Sequence, residues 1–278
     1  MIVFPNCKIN LGLNIIRKRV DGYHDIETIF YPIPLKDSLE IIESKQPRKN
    51  PGFPFFSSGL PIPGKPASNI CVKAYRLLKE DFPALPNVHI HLHKVIPSGA
   101  GLGGGSADAA FALKLMNQLF ELNLSAEQLI VYAAELGSDC PFFIINKPCF
   151  ATGRGEILEE IELDLSSYKI VIVNPGIHVD TGRAFLEMKP AASEIPLKEI
   201  IKLPIERWKD GLMNDFEKII FEKHREIVDI KDDLYVKGAI YSSMSGSGST
   251  VFGIFPKEKP LQLTYPDNYF IKELNNYA

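Results

Sequence analysis

The chain has 278 residues, which allows one large domain or two of ordinary size. Hydrophobic residues make up 45% of it and charged residues 23%, proportions typical of a globular protein that folds in water. The formal net charge of -3 argues against nucleic acid as a partner, and no apolar run is long enough for a membrane-spanning helix.

The first part of the chain is predicted to be rich in strands. Residues 10–16 and 25–31 have strand patterns and are separated by a turn with Asp21 and Gly22 at its tip. A further strand is expected over 38–44. The segment 46–66 holds six prolines, and proline removes a backbone donor, so we expect a loop there with an edge strand near 55–58.

A helix and a strand are predicted next. The helix runs from 69 to 81, because its apolar residues recur on one face. The strand over 87–96 alternates between apolar residues and three histidines. Histidines on alternate strand positions could bind zinc, but a solvated strand face is the simpler interpretation.

Two helices are expected in the middle of the chain. One begins at Ser106 and ends near Leu119, after a glycine-rich run. The next opens at Ser125, where Gln128 completes a capping box, and Gly137 stands where a helix terminator belongs. Asp139 follows just beyond that end.

The C-terminal part is predicted to mix strands and helices. A buried strand is expected over 167–174, helical structure over 214–228, and a strand, a Gly-Ser turn and a second strand over 240–255. We place a domain boundary near Glu160, which predicts domains of 1–160 and 161–278.

The glycine-rich run is the strongest functional pattern. Residues 97–106 read PSGAGLGGGS, and five of the seven residues from Gly99 to Gly105 are glycine. Such a backbone can bring several amides onto one anion, and the helix that follows adds the positive end of its dipole. We therefore predict that this run and the next residue bind the phosphates of a nucleotide: Pro97, Ser98, Gly99, Ala100, Gly101, Leu102, Gly103, Gly104, Gly105, Ser106 and Ala107.

Two familiar motifs fit this run poorly. A Walker A loop needs a lysine before its serine, and Gly105 stands there instead. The spacing of Gly99, Gly101 and Gly104 matches the dinucleotide fingerprint, but that motif requires a parallel strand after the helix, where a second helix is predicted. A nicotinamide-dependent oxidoreductase is therefore kept only as an alternative.

The run resembles the phosphate motif of the galactokinase, homoserine kinase, mevalonate kinase and phosphomevalonate kinase (GHMP) superfamily. Further segments resemble the branch of it that acts on 4-diphosphocytidyl-2-C-methyl-D-erythritol. They are Lys8-Ile9-Asn10-Leu11, the turn RVDGYH at 19–24, and LGSDCPFF at 136–143. Ser245-Gly246-Ser247-Gly248 is similar to the superfamily's C-terminal glycine motif. The resemblance thus covers nearly the whole chain.

The resemblance implies a fold and a reaction. The fold would be α/β of the α+β type, in the two-domain architecture of these kinases with the active site in the cleft between the domains. ATP, with Mg²⁺, would phosphorylate the 2-hydroxyl of 4-diphosphocytidyl-2-C-methyl-D-erythritol, a step of the non-mevalonate route to isoprenoid precursors.

It also implies site residues. Asp139 would accept the proton of the hydroxyl, and Lys8 would keep that carboxylate ionised and offset charge on the transferring group. Ser106 would offer its hydroxyl to Mg²⁺ or cap the helix, and one role does not exclude the other. The other implied contacts are Asn10 to the polyol, Tyr23, His24 and Phe185 to cytosine, and Asn69, Ile70 and Lys94 to the nucleotide. Asn69 could equally be a helix cap.

Several alternatives remain open on the sequence alone. A kinase for homoserine or mevalonate would share the glycine run but would not need Tyr23 and His24, the aromatic residues of the turn at 19–24 (the aromatic turn). A non-catalytic nucleotide-binding relative is also conceivable. The four cysteines form no C-x-x-C pair, and the first residues lack the features of a secretion signal. We therefore expect a cytoplasmic protein, a monomer or weak homodimer, whose partner is a small molecule.

Overall fold

The computed structural model describes residues 1–44, 55–188, 190 and 195–275. The chain divides into two compact units. The first consists of Met1–Cys7, Leu35–Ser98 and Gly103–Asn146, and the second of Lys8–Pro34, Gly99–Leu102 and Lys147–Ala278. No helix in the described part of the chain is both long and apolar enough to span a bilayer.

Groups of strands alternate with groups of helices along the chain. The strands are β1 (Ile2–Val3), β2 (Asn6–Lys18), β3 (His24–Lys36), β4 (Ser38–Glu43), β5 (Phe55–Gly59), β6 (Val88–Lys94), β7 (Cys149–Thr152), β8 (Ile157–Glu160), β9 (Tyr168–Asn174), β10 (Tyr241–Met244), β11 (Val251–Pro256) and β12 (Phe270–Asn275). The α-helices are α1 (Ile70–Asp81), α2 (Gly104–Leu119), α3 (Ala126–Leu136), α4 (Cys140–Ile145), α5 (Thr181–Glu187), α6 (Leu197–Ile200), α7 (Glu217–Lys223) and α8 (Arg225–Val236).

The first unit packs α1 to α4 with a sheet in the order β1-β4-β6-β5. Strand β6 buries Val88, Ile90 and Leu92, as its alternation predicts. The intervening histidines lie on the other face, where the Ser58 hydroxyl is 3.0 Å from His91 Nε2. Within the described residues no group of three or more His, Cys, Asp or Glu side chains is placed to hold a metal ion.

Helix α2 is the centre of this unit and contacts α1, α3, α4 and β4. Its buried side is built largely from alanine, including Ala107, Ala109, Ala110 and Ala112. Small side chains let neighbouring helices approach closely, so the helix that follows the glycine run is held on several sides.

The second unit holds two sheets, in the orders β2-β3-β7-β8 and β10-β11-β9-β12. Strand β9 lies inside its sheet and pairs with β11 and β12, and its run Ile170 to Val173 is fully buried. One apolar cluster joins both sheets to the helices, since it contains Leu13 and Ile15 of β2, Val171 of β9 and Ile227 of α8.

The element predictions are largely confirmed, with corrections at their ends. Helix α2 begins two residues before Ser106, and the helical segment expected over 214–228 is two helices that meet at the non-helical residue His224. The edge strand expected near 55–58 is β5, which pairs in parallel with β6. Residues 46–54 of the proline-rich segment lie outside the described residues.

Candidate active site

The glycine run adopts backbone conformations that explain its composition. Gly99, Gly101 and Gly103 have φ values of 67°, 79° and 67°, in the left-handed region that other residues rarely enter. A Cβ on Gly101 would lie 2.0 Å from the Ser245 carbonyl oxygen, so that position has no room for a side chain. Gly103 is the N-cap of α2, and the first N–H groups of a helix have no partner within it.

Gly105 differs from these glycines. It lies in the first turn of α2, it is exposed, and a Cβ there would meet no atom within 4 Å. Neither backbone conformation nor packing within the protein therefore requires glycine at this position. A ligand that approaches the helix N-terminus closely would require it.

Asp139 lies close in structure to this helix terminus. It immediately precedes α4 and does not cap that helix with its side chain. The side chain of Ser106, the third residue of α2, lies within hydrogen-bonding reach of the thiol of the adjacent Cys140. Burial raises the pKa of the Cys140 thiol to about 12, the Ser106 bond opposes the rise, and the charge of Asp139 adds to it. The structure thus brings Ser106 and the Asp139 segment together within the first unit.

The support beneath Asp139 is rigid. Phe142 and Phe143 of α4 are fully buried and pack edge to face, with ring centroids 4.9 Å apart. Asn146 ends the helix in a left-handed conformation, and its amide donates to Asn6 Oδ1 at 2.9 Å. Asp139 therefore lies at the start of a helix that is packed into the core, and not on a loop without such support.

Lys8 is buried in the second unit, with only 3% of its surface exposed. Its ammonium donates to Asn10 Oδ1 at 2.6 Å and lies 4.8 Å from the centre of the Phe30 ring. The Asn10 amide donates to Thr28 Oγ1 at 2.8 Å, and that hydroxyl donates to the Gly12 carbonyl at 2.6 Å. Lys8 and Asn10 are therefore members of one hydrogen-bonded chain, and Thr28 is a member that the sequence did not reveal.

Ser245 connects this chain to the glycine run. Its hydroxyl accepts from the Asn10 backbone N–H at 3.2 Å and donates to the Gly101 carbonyl at 2.8 Å. The sequence indicated the Gly-Ser segment as a motif but gave Ser245 no role. Asn214 holds that segment in turn, because its side-chain amide donates to the carbonyls of Met244 and Gly246.

Two of the three predicted cytosine contacts lie together. The rings of His24 and Phe185 are stacked, with centroids 5.3 Å apart and planes at 21°, and Phe185 packs edge to face on Phe216. Burial, and then the charge of Lys18, lowers the pKa of His24. Tyr23 is 57% exposed, and the Arg154 guanidinium lies 4.9 Å from its ring centre.

The residues predicted on the nucleotide side have structural partners. Asn69 caps α1, since its side chain accepts from the Cys71 N–H at 2.9 Å, and Ile70 is the first residue of that helix. The Lys94 ammonium is buried between two carboxylates, those of Asp37 and Asp108. That these three residues bind a nucleotide stays a prediction.

Comparison with known proteins identifies the family. The model described as GHMP kinases N terminal domain matches residues 69–147, and the one described as GHMP kinases C terminal matches 197–264. A Bacteroides fragilis protein named 4-diphosphocytidyl-2-C-methyl-D-erythritol kinase is 55% identical over 269 residues, which cover 95% of this chain and 96% of that protein. A protein of Cytophaga hutchinsonii with the same name is 52% identical, with 92% of each chain covered.

Solved structures agree with this assignment. The crystal structure of a 4-(cytidine 5'-diphospho)-2C-methyl-D-erythritol kinase matches with a TM-score of 0.80 and 27% identity over the whole of both chains. The Methanococcus jannaschii mevalonate kinase matches with a TM-score of 0.68 over 93% of this chain and 92% of that one, but at 14% identity it shows the fold alone.

These findings decide between the classes of function considered. The oxidoreductase alternative is wrong, because α2 is followed by α3 and not by a parallel strand. The mixed helix and sheet fold and the ATP-dependent kinase class are confirmed. The chain belongs to the GHMP kinases, and within them to the family of 4-diphosphocytidyl-2-C-methyl-D-erythritol kinases.

Proposed function

We propose that this chain transfers the γ-phosphoryl group of ATP to the 2-hydroxyl of 4-diphosphocytidyl-2-C-methyl-D-erythritol, in the non-mevalonate route to isoprenoid precursors. The observation that carries the proposal is the start of α2, where a glycine run ends at a helix N-terminus bonded through Ser106 to the residue next to Asp139. Phosphoryl transfer needs this combination of an anion cradle and a fixed carboxylate.

In this proposal the backbone of 97–107 binds the ATP phosphates, with the amides at the start of α2 donating to their oxygens. Asp139 orients the attacking hydroxyl and accepts its proton late in the transfer. Lys8 places a positive charge where negative charge develops, and its bond to Asn10 holds its ammonium in position. Asn10 would in addition contact the polyol.

Mg²⁺, when bound, would neutralise charge on the phosphates. The residue of this chain that would hold it is Ser106, in the first turn of α2, because a hydroxyl oxygen is a ligand of the kind that Mg²⁺ prefers.

The cytosine end would use the aromatic residues of the second unit. Tyr23 offers an exposed ring face for stacking, while His24 is fixed by Phe185 and offers the polar edge of its ring to the base. Asn69, Ile70 and Lys94 would lie on the side of the active site that binds the nucleotide. We further propose domains of 1–160 and 161–278, a cytoplasmic location, and a monomer or weak homodimer that binds neither nucleic acid nor membrane.

Replacing Gly105 with valine is expected to weaken ATP binding by about tenfold or more, the loss expected for a hydrogen bond to a charged group. The free protein has space for the side chain, so its thermal midpoint should be unchanged. Titration calorimetry with ATP measures the effect. Gln118→Val at the exposed far end of α2 is the control, and equal ATP affinity in both variants would contradict the phosphate assignment.

Replacing Tyr23 with alanine is expected to raise the KM of the cytidyl substrate through the loss of roughly 1–3 kcal/mol of base stacking. The KM for ATP should not change, and Tyr23→Phe should behave as the wild type because it keeps the ring. Steady-state kinetics with each substrate varied separately tests this. A rise in the KM of both substrates would show instead that the turn at 19–24 supports folding.

The substrate is tested by kcat/KM for three alcohols in a coupled ADP-release assay. The cytidyl-erythritol compound should be preferred over homoserine and mevalonate, because neither of these presents a base to the aromatic turn. Comparable values for homoserine or mevalonate would overturn the substrate assignment while leaving the kinase class intact.

A further inference from the structure

Lys94, assigned above to the nucleotide side, belongs to a buried group of charges in the first unit. The Lys94 ammonium donates to Asp37 Oδ2 at 2.5 Å and to Asp108 Oδ2 at 2.8 Å. The three side chains are between 0% and 2% exposed. Burial of three charges is costly unless geometry and hydrogen bonding are favourable, so their position in the fold is informative.

These three charged side chains link the residues just before the glycine run to helix α2, which follows the run. Asp37 Oδ1 accepts from the backbone N–H groups of Val95 and Ile96, at 2.5 and 2.9 Å, and Pro97 begins the run. Asp108 lies in α2, one turn beyond its start at Gly104. One ammonium therefore connects both segments that flank the run.

The packing at Gly104 shows how closely these segments meet. A Cβ on Gly104 would lie 2.8 Å from Ile96 Cγ2 and 3.1 Å from Lys94 Nζ. The start of α2 thus rests directly on the strand end and on the buried ammonium. The glycine at this position is explained by that contact, in contrast to Gly105, whose Cβ position is open.

The bonding of Asp108 is incomplete. Its Oδ1 is buried and has no hydrogen-bond partner among the described residues. A group built for stability alone would be expected to satisfy this atom, since an unsatisfied buried acceptor is destabilising.

We propose that Asp37, Lys94 and Asp108 are positioning residues for the nucleotide, which fix the two segments flanking the glycine run so that the amides at the start of α2 converge on the phosphates. Because the Lys94 ammonium is buried between the two carboxylates, Lys94 serves the nucleotide side through the backbone, as Asp37 and Asp108 do, and not by contact with ATP. The inference rests on the proposed role of the run in phosphate binding. Preorganised donors bind an anion more tightly because little ordering remains to be done on binding.

The test is Asp108→Asn, which keeps the shape and leaves Lys94 paired with Asp37, so the protein should fold. We expect the Kd for ATP, measured by calorimetry without the alcohol, to rise about tenfold, the scale of one hydrogen bond to a charged group. The KM of the alcohol substrate should stay within about twofold of the wild-type value, since it is bound by other residues. Asp37→Asn should give the same pattern.

Leu113→Ala is the matched control, because Leu113 is a fully buried residue of α2 whose truncation should lower stability without touching the run. Unchanged ATP affinity in Asp108→Asn, or an equal loss of affinity in Leu113→Ala, would overturn the proposal. A wild-type protein that binds ATP but does not phosphorylate the cytidyl substrate would instead overturn the proposed function.

Discussion

Asp139→Asn is expected to lower kcat by on the order of 10²-fold or more, the scale of a lost proton-transfer group. The amide keeps the shape of the carboxylate but removes its charge and its basic lone pairs. The buried Phe142 and Phe143 that hold the segment are untouched, so the fold should survive. Substrate affinities should change little, because the interaction is made mainly in the transition state.

Single-turnover kinetics under saturating substrates measure this step. Asp81→Asn is a suitable control, because Asp81 is an exposed aspartate of the same unit whose carboxylate accepts a bond from Tyr132. Turnover near the wild-type rate in a folded Asp139→Asn protein would give Asp139 a structural role and would contradict the proposed proton transfer.

Lys8→Met is expected to lower kcat by about 10²–10³-fold, as does the loss of a preorganised electrostatic donor in other enzymes. Methionine has a similar length and suits the buried site, so the variant tests the charge and its bond to Asn10 rather than the packing. If Lys8 and Asp139 act on one step, the double variant should lose less than the product of the two single effects.

Lys169→Met provides the matched control for Lys8. Lys169 is also a buried strand lysine, 4% exposed and paired with Glu273 at 2.7 Å, and it has no place in the proposed mechanism. Its loss should affect stability and leave kcat unchanged. A comparable loss of kcat in both lysine variants, or strictly multiplicative effects in the Lys8 and Asp139 pair, would contradict the assigned role.

Local patterns made part of this structure predictable from the sequence. The capping box at Ser125, the alternation along β6 and the left-handed glycines before α2 are all determined by residues close together in the chain. The positions of the glycine run and of Asp139 relative to their helices follow from such patterns. The short strands β7 and β8 have only four residues each, too few for periodicity to identify.

Bonds between distant residues could not be predicted in this way. Ser245 meets Asn10 across 235 residues of sequence, and Asp37 meets Lys94 across 57. Periodicity and capping carry no information about such pairs, which depend on how strands and helices assemble. The buried setting of Lys8 could not be predicted for the same reason, since a strand lysine is more often exposed.

Phosphorylation of the 2-hydroxyl is measured by ³¹P NMR of the reaction of ATP with 4-diphosphocytidyl-2-C-methyl-D-erythritol. We expect ADP to appear together with one new phosphomonoester resonance, coupled to the carbon that bears the 2-oxygen, and we expect Asp139→Asn to suppress both. Unchanged ATP, release of inorganic phosphate only, or a phosphate on another oxygen of the substrate would contradict the proposed phosphorylation.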